Sequence, residues 1–202
     1  YSKKNSIKSI LMNLKLIYVR LSFGMEIIWI GSIKFQRRSN KMKGIILAGG
    51  KGTRLFPLTI NQSKHLLPVY NKPMIFYPLS TLILAGINDF AIITSEEFAD
   101  SYHKTLSICD DIGIRFQILI QKEPLGVGHG ISVAKEFISG ESFWYMLGDN
   151  FFFGPDFGLK LLEFSKRPNA TAISSHCFAY RVLDSSQYGV VAFDDLENPI
   201  RI

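Results

Sequence analysis

Residues 42–202 read as an α/β fold in which a mainly parallel sheet is flanked by helices. Three observations point there. The chain has 202 residues, 47% apolar and 20% charged, enough to bury the core of an ordinary globular domain. Short apolar runs bounded by turn residues recur along it with helical patterns between them, the alternation that βαβ units produce. No internal repeat or low-complexity tract interrupts that alternation, which sets aside collagen, coiled-coil and disordered classes.

The first strand is expected over residues 44–47, directly before a glycine-rich stretch, and a long loop runs from there through Pro68. A helix is expected near residues 74–85, stopped by Gly86, which is free to take the left-handed conformation that closes helices. Pro78 inside it predicts a late start or a bend, because proline lacks the N–H that a helix interior needs. Residues 89–94 form the second strand, and Ser95 is placed to cap the next helix, with Glu96 and Glu97 in a first turn that favours acids. A third strand is expected at 114–120, a helix at 131–138, and a fourth strand at 143–147 running into Gly148-Asp149-Asn150. Residues 159–166 pattern as a helix and 170–179 as extended chain. Residues 188–195 pattern as a strand entering a hairpin, with a return strand just before Ile202.

The formal charge of +6 is unevenly placed. Residues 1–41 hold nine Lys or Arg against the single acid Glu26, whereas the remainder is net −2. The basicity therefore belongs to an extension outside the expected domain, and Met42 has the look of a natural start. Trp29, Phe23 and Phe35 among the cations suit an arm for a membrane surface or an acidic partner. A loosely held tail explains the same composition, so neither nucleic acid nor membrane is expected as a partner. Arg20, Glu26 and Lys34 break the apolar stretch into pieces of seven or fewer, too short to span a bilayer. Cys109 and Cys177 form no metal or redox spacing, which fits a reduced, cytoplasmic compartment.

The strongest chemical signal is Leu47-Ala48-Gly49-Gly50-Lys51-Gly52-Thr53-Arg54-Leu55 after the first strand. Three glycines let backbone amides approach a polyanion while Lys51 and Arg54 add charge, which makes this a phosphate-loop candidate. It is neither a Walker A loop nor the dinucleotide fingerprint, since the order and spacing of both fail. Alone, it would read equally well as a glycine-rich turn. Ser63-Lys64-His65-Leu66-Leu67-Pro68 places a lysine on backbone held by apolar neighbours and a proline, suited to a transferring phosphoryl group, although a lone lysine is usually a surface cation. Gly148-Asp149-Asn150 puts a carboxylate at the carboxyl end of a strand, where ligands bind in open α/β sheets. There it serves as a magnesium ligand, or simply forms an Asp-Asn turn. Gln121, at another strand end, offers a donor and an acceptor to a nucleobase. The four histidines show no metal spacing and read as ordinary residues, and no serine elbow supports hydrolase chemistry.

In this order, G-x-G-T-R, S-K-x-L-L-P, K-P-M-I-F-Y-P-L-S-T-L, L-A-G-I, P-L-G and L-G-D-N resemble the sugar nucleotidyltransferases over residues 42–202, and within them the thymidylyltransferase branch acting on glucose 1-phosphate. The resemblance implies a Rossmann-like nucleotidyltransferase fold with a mainly parallel mixed sheet flanked by helices. It implies formation of dTDP-glucose and pyrophosphate from dTTP and glucose 1-phosphate with Mg²⁺, on the way to dTDP-rhamnose and related surface sugars, by a homotetramer. Carried over by matching positions, Leu47, Gly49, Gly50, Gly52 and Thr53 would hold the nucleotide, and Gln121 and Gly126 would read its base. Arg54 and Lys64 would be catalytic, Asp149 a metal ligand, and Tyr188 and Gly189 part of the sugar pocket.

Two substitutions depart from the pattern: His65 stands where the family has Gln, and Gly128-His129-Gly130 where it has Ala-Gln-Ala. The chain stops before the family's Glu-Lys-Pro motif and second metal-binding aspartate, so it is expected to be incomplete and poorly active. A UTP-dependent enzyme of the same chemistry and a nucleotide-binding pseudoenzyme are the alternatives.

Overall fold

The structure is a computed structural model that describes residues 42–50, 52–165, 178, 190, 192–194 and 199–201. The expectations for residues 1–41, Lys51, Tyr188 and Gly189, and nearly all of the extended chain at 170–179, lie outside those residues. The chain divides into two compact units, one through residue 166 and one from 167 onward.

The first unit is built on four parallel strands: β1 (Lys43–Leu47), β4 (Asp89–Thr94), β5 (Arg115–Ile120) and β6 (Phe143–Leu147), in the order β5-β4-β1-β6. A short antiparallel pair, β2 (Pro68–Val69) with β3 (Lys72–Pro73), lies in the loop after β1. The near-continuous apolar runs of β1 and β4 follow from burial on both faces, as parallel sheets require. Ile46 and Ile92 face one cluster together with Leu79, Leu82, Tyr102 and Leu106, while Ile45, Ala91 and Ile93 face another with Ala134. The first face is thus covered by α1 (Phe76–Leu84) and α2 (Ala99–Leu106), the second by α3 (Val127–Val133) and α4 (Lys135–Ile138). The geometry has a topological cause. The chain steps outward from β1 to β4 to β5 and then returns past both to β6, and right-handed crossovers in opposite directions place their helices on opposite faces. The strand order therefore reverses between β1 and β6.

Local sequence sets the element ends. Gly86 at φ 88° closes α1 in a Schellman motif, with Ile87 N–H donating to Leu82 O at 3.1 Å and Gly86 N–H to Ile83 O at 2.9 Å. Pro78 falls in the first turn of α1, where its missing N–H leaves no bond unmade. Two helix expectations need correction. Ser95 makes no side-chain cap, because a 3₁₀ turn at Glu96–Phe98, closed by Phe98 N–H to Ser95 O at 3.2 Å, precedes α2. The helix expected at 131–138 begins at Val127 and breaks at Ala134. Its start is fixed by the Tyr145 hydroxyl donating to Val127 O at 2.7 Å, and Gly130 leaves room for that phenol.

A final helix of this unit, α5 (Phe157–Ser165), packs on α1 where Gly158 lies against Leu84, and the Trp144 indole donates to Ser165 Oγ at 3.1 Å. In the second unit β7 (Ala192–Phe193) and β8 (Pro199–Arg201) pair antiparallel, forming the hairpin the sequence pattern anticipates. Among the described residues no helix is long and apolar enough to cross a membrane.

Candidate active site

In an open α/β sheet the crevice outside the carboxyl strand ends, at the point where strand order reverses, is where ligands bind. Here that point lies between β1 and β6, and the chemistry-bearing segments converge on it. β1 ends at Leu47, whose carbonyl accepts from Gly148 N–H at 2.8 Å, while Ala48 N–H donates to Ile93 O at 2.7 Å. The glycine loop thus leaves the sheet from a pinned stem. Gly52, at φ 63°, turns the chain into a 3₁₀ turn at Thr53–Leu55, and the Thr59 hydroxyl donates to Gly52 O at 3.0 Å. A side chain at Gly52 would put Cβ 2.9 Å from Thr59 Cγ2 and 3.0 Å from Lys64 Cβ, so only glycine lets these segments meet.

Lys64 projects from a 3₁₀ turn at Lys64–Leu66 that is anchored by buried neighbours on both sides, Ser63, His65 and Leu66. Its Nζ donates to Asp149 Oδ2 at 2.6 Å, joining the loop after β1 to the end of β6. Gly50 lies beside the ammonium: a Cβ there would be 3.7 Å from Nζ. Burial pushes the Asp149 carboxyl upward, but the hydrogen bond and charge of Lys64 outweigh it and hold the group below the usual carboxylate range.

Beneath this pair lies a polar network. Ser63 Oγ and Tyr102 Oη are 2.7 Å apart, and His65 Nδ1 sits 3.3 Å from the serine and 3.4 Å from the phenol. Tyr102 also donates to Ala48 O at 3.4 Å. The His65 ring lies against Gly148, where a Cβ would come within 2.7 Å of Cδ2. Burial, reinforced by Lys64, lowers the imidazole to about 4, so it is neutral near pH 7.

Gln121 follows β5, its N–H bonded to Thr94 O at 2.8 Å. Its amide reaches across to Gly49, where a Cβ would lie 2.9 Å from Oε1, and Nε2 is 3.0 Å from His129 Nδ1. The structure therefore brings Leu47, Gly49, Gly50, Gly52, Lys64, Gln121 and Asp149 to one edge of the sheet. Thr53 and Arg54 stand exposed on their 3₁₀ turn, and Arg54 makes no ion pair among the described residues. Gly126, at φ 95°, opens α3 with open space where its side chain would be. His65, Ser63, Tyr102 and His129 carry no role in the sequence motifs. The signal that could have marked two of them is that both departures from the family pattern place a histidine at the site.

Among the described residues no cluster of three or more His, Cys, Asp or Glu could cage a metal. Magnesium does not need one, since it binds through one or two carboxylates together with substrate phosphates and water. The half-exposed, ionised carboxylate of Asp149 beside an amide-rich loop fits that donor set.

A nucleotidyl transferase profile matches residues 43–202. A Neisseria gonorrhoeae protein named glucose-1-phosphate thymidylyltransferase is 44% identical over 161 residues, 80% of this chain and 54% of that one. A Mycolicibacterium smegmatis protein of the same name is 46% identical over 153 residues, 76% of this chain and 51% of its own. The chain spans about half the length of the curated relatives it matches. Among solved structures, a Bacillus anthracis protein described as a glucose-1-phosphate thymidylyltransferase superposes with a TM-score of 0.57 at 35% identity, covering 61% of this chain and 50% of that one. A UDP-glucose pyrophosphorylase bound to UDP-glucose gives 0.52 at 26% identity, covering 61% and 52%. With a parallel sheet of this order and a profile match through its whole length from Lys43, the chain belongs to the nucleotidyl transferase family.

Proposed function

We propose that this chain carries the nucleotide-binding portion of an enzyme that joins dTTP and glucose 1-phosphate into dTDP-glucose, releasing pyrophosphate. The observation that supports the reading best is the Lys64–Asp149 pair set beside Gly50 at the reversal point of the sheet, a cation and a carboxylate held against a glycine-rich loop. A phosphate oxygen of the sugar phosphate attacks the α-phosphorus in line, a new P–O bond forms, and the bond to the bridging oxygen of pyrophosphate breaks. No side chain becomes covalently bound, so catalysis rests on positioning and on offsetting charge.

In this reading the amides around Gly49, Gly50, Gly52 and Thr53 hold the triphosphate, and Lys64 stands by the attacked phosphorus. Arg54, exposed on its turn, neutralises the departing pyrophosphate. Gln121 reads the base and Gly126 gives backbone space beside it. Asp149 would hold Mg²⁺, which supplies charge neutralisation on the triphosphate. Tyr188 and Gly189 would line the sugar pocket.

The experiment is a pyrophosphate-release assay with glucose 1-phosphate and Mg²⁺, run with dTTP and UTP, alongside calorimetric titration of both nucleotides. Release with dTTP preferred supports the reading. Preference for UTP redirects it to a uridylyltransferase, dTTP binding without release makes the chain a binding module, and no binding of either nucleotide removes it.

A further inference from the structure

We propose that Tyr77 is a positioning residue for the Asp149 carboxylate. Its ring, fixed to the Lys64 side of the site, supports the chain just past Asp149, so that the carboxylate keeps its place when a divalent cation competes with Lys64 for it. The inference rests on Asp149 holding Mg²⁺, as proposed above.

Tyr77 lies in the first turn of α1, and the start of α1 is bonded to the turn that carries Lys64. Ile75 N–H donates to His65 O at 2.8 Å, Met74 N–H to Leu67 O at 3.0 Å and Tyr77 N–H to Met74 O at 3.1 Å. The hairpin between them fixes the side chain. The phenol donates to Val69 O of β2 at 2.7 Å, and the Lys72 ammonium of β3 lies 4.3 Å from the ring centroid. Lys72 is only 7% exposed and pairs with no carboxylate among the described residues. A cation shielded from water holds an aromatic ring more firmly than an exposed one does.

The ring's other neighbour belongs to the chain that leaves Asp149. Asn150 N–H donates to Leu147 O at 3.2 Å, which turns the backbone at Asp149. Residues 151–153 then run without helix or strand, and rings hold them instead. Phe151 packs on Tyr77 with centroids 4.5 Å apart, and Phe152 stacks on Phe157 at 5.1 Å.

The two halves of the site are thus tied twice, by the Lys64–Asp149 ion pair and by the Tyr77–Phe151 contact. A divalent cation acts on them differently. It competes with the ammonium for the carboxylate and repels it, which loosens the first tie. The ring contact contains no group that the cation needs, so it keeps the strand end in place, and a ligand held by its surroundings binds a metal more tightly than one left free.

The test is dTTP binding by the 202-residue chain, in excess EDTA and across a Mg²⁺ titration, in the parent and in Tyr77→Leu, Tyr77→Phe, Phe151→Ala and Asp149→Asn. Tyr77→Leu and Phe151→Ala are expected to raise the Mg²⁺ concentration at half-maximal enhancement by about tenfold, the lower end of what losing a ligand's outer support costs, with affinity in EDTA unchanged. Tyr77→Phe keeps the ring and both of its ring contacts. It melts earlier for want of the bond to Val69 O, yet it keeps the parent's Mg²⁺ requirement. Phe151 is half-exposed, so Phe151→Ala decides the matter even if Tyr77→Leu does not fold. The proposal is overturned if Phe151→Ala keeps the parent's requirement, if Tyr77→Phe raises it by about tenfold too, or if affinity falls equally with and without Mg²⁺. If Asp149→Asn keeps the parent's requirement, the reading of Asp149 as the metal ligand fails, and the role of Tyr77 falls with it.

Discussion

Lys64 and Asp149, 85 residues apart in the chain, meet at 2.6 Å across the carboxyl ends of β1 and β6. The contact ties a loop to a strand end at the one place where the sheet reverses its order. Both side chains keep part of their surface in water, 24% for the lysine and 39% for the aspartate, so the pair is reachable by a ligand. A partly exposed ion pair of this kind stabilises a fold by about 1 kcal/mol or less. Its position, beside Gly50 and above a buried polar network, makes sense as chemistry rather than as stability.

Lys64→Met is accordingly expected to separate the two roles. The melting temperature should move little, because the pair contributes at most about 1 kcal/mol. Affinity for dTTP–Mg²⁺ should fall by roughly 10- to 100-fold, the scale of one lost hydrogen bond to a charged group. A variant that melts early yet binds dTTP–Mg²⁺ normally would show the opposite assignment.

His65 gives a pH dependence with a definite sign. Its folded value is about 4 against an ordinary 6.5, lowered chiefly by burial and further by Lys64. Between those values the unfolded chain binds a proton that the folded chain does not, so stability falls as pH drops from about 6.5 to about 4 and the loss is complete below that. The loss amounts to roughly 3 kcal/mol, since each tenfold change in proton affinity is worth about 1.4 kcal/mol. Asp149, depressed in the fold, adds a further loss at lower pH still, small because the group is half-exposed. Denaturant titrations from about pH 7.5 to about 4 should show this slope in the parent and a much flatter one in His65→Gln.

The strands and the glycine loop were legible because they follow from period and from residues with few conformational uses. Gly86 can close α1 only as it does, and the apolar runs of β1 and β4 can be buried only in the middle of a parallel sheet. The start of α3 was not legible, since Val127-Gly128-His129-Gly130 has poor helix propensity and becomes helical because Tyr145, on a strand 18 residues away, bonds Val127. The candidate site divides the same way. Lys64 and Asp149 were visible as motif residues, but the Ser63–His65–Tyr102 network joins a loop to a helix far along the chain, and no spacing rule reports a contact of that kind.

Two glycines of the loop should respond differently to alanine. At Gly52 the left-handed φ of 63° and the contacts at 2.9 Å to Thr59 and 3.0 Å to Lys64 act together. Gly52→Ala should therefore destabilise by about 1–3 kcal/mol and displace Lys64. At Gly50 the new methyl meets Lys64 Cε at an ordinary 3.5 Å and no left-handed φ is involved. Gly50→Ala should melt like the parent while binding dTTP–Mg²⁺ more weakly, because the methyl takes up space beside the ammonium that a phosphate needs. Thermal melting paired with nucleotide titration checks both halves.

Tyr102 tests whether the buried network supports the site or only the core. Its hydroxyl touches Ser63, His65 and the carbonyl of Ala48, all beneath the loop, and burial pushes the phenol well above its ordinary range so that it stays protonated. Tyr102→Phe keeps the ring that packs in the core and deletes only the hydroxyl. Ser63 then retains His65 alone at 3.3 Å, and stability should drop by about 1–3 kcal/mol, the cost of leaving buried polar groups under-satisfied. If the network positions the loop, dTTP affinity measured well below the melting temperature falls as well, because Ala48 precedes Gly49 and Gly50 and His65 follows Lys64. Unchanged affinity in a destabilised Tyr102→Phe would confine the network to holding α2 against the sheet.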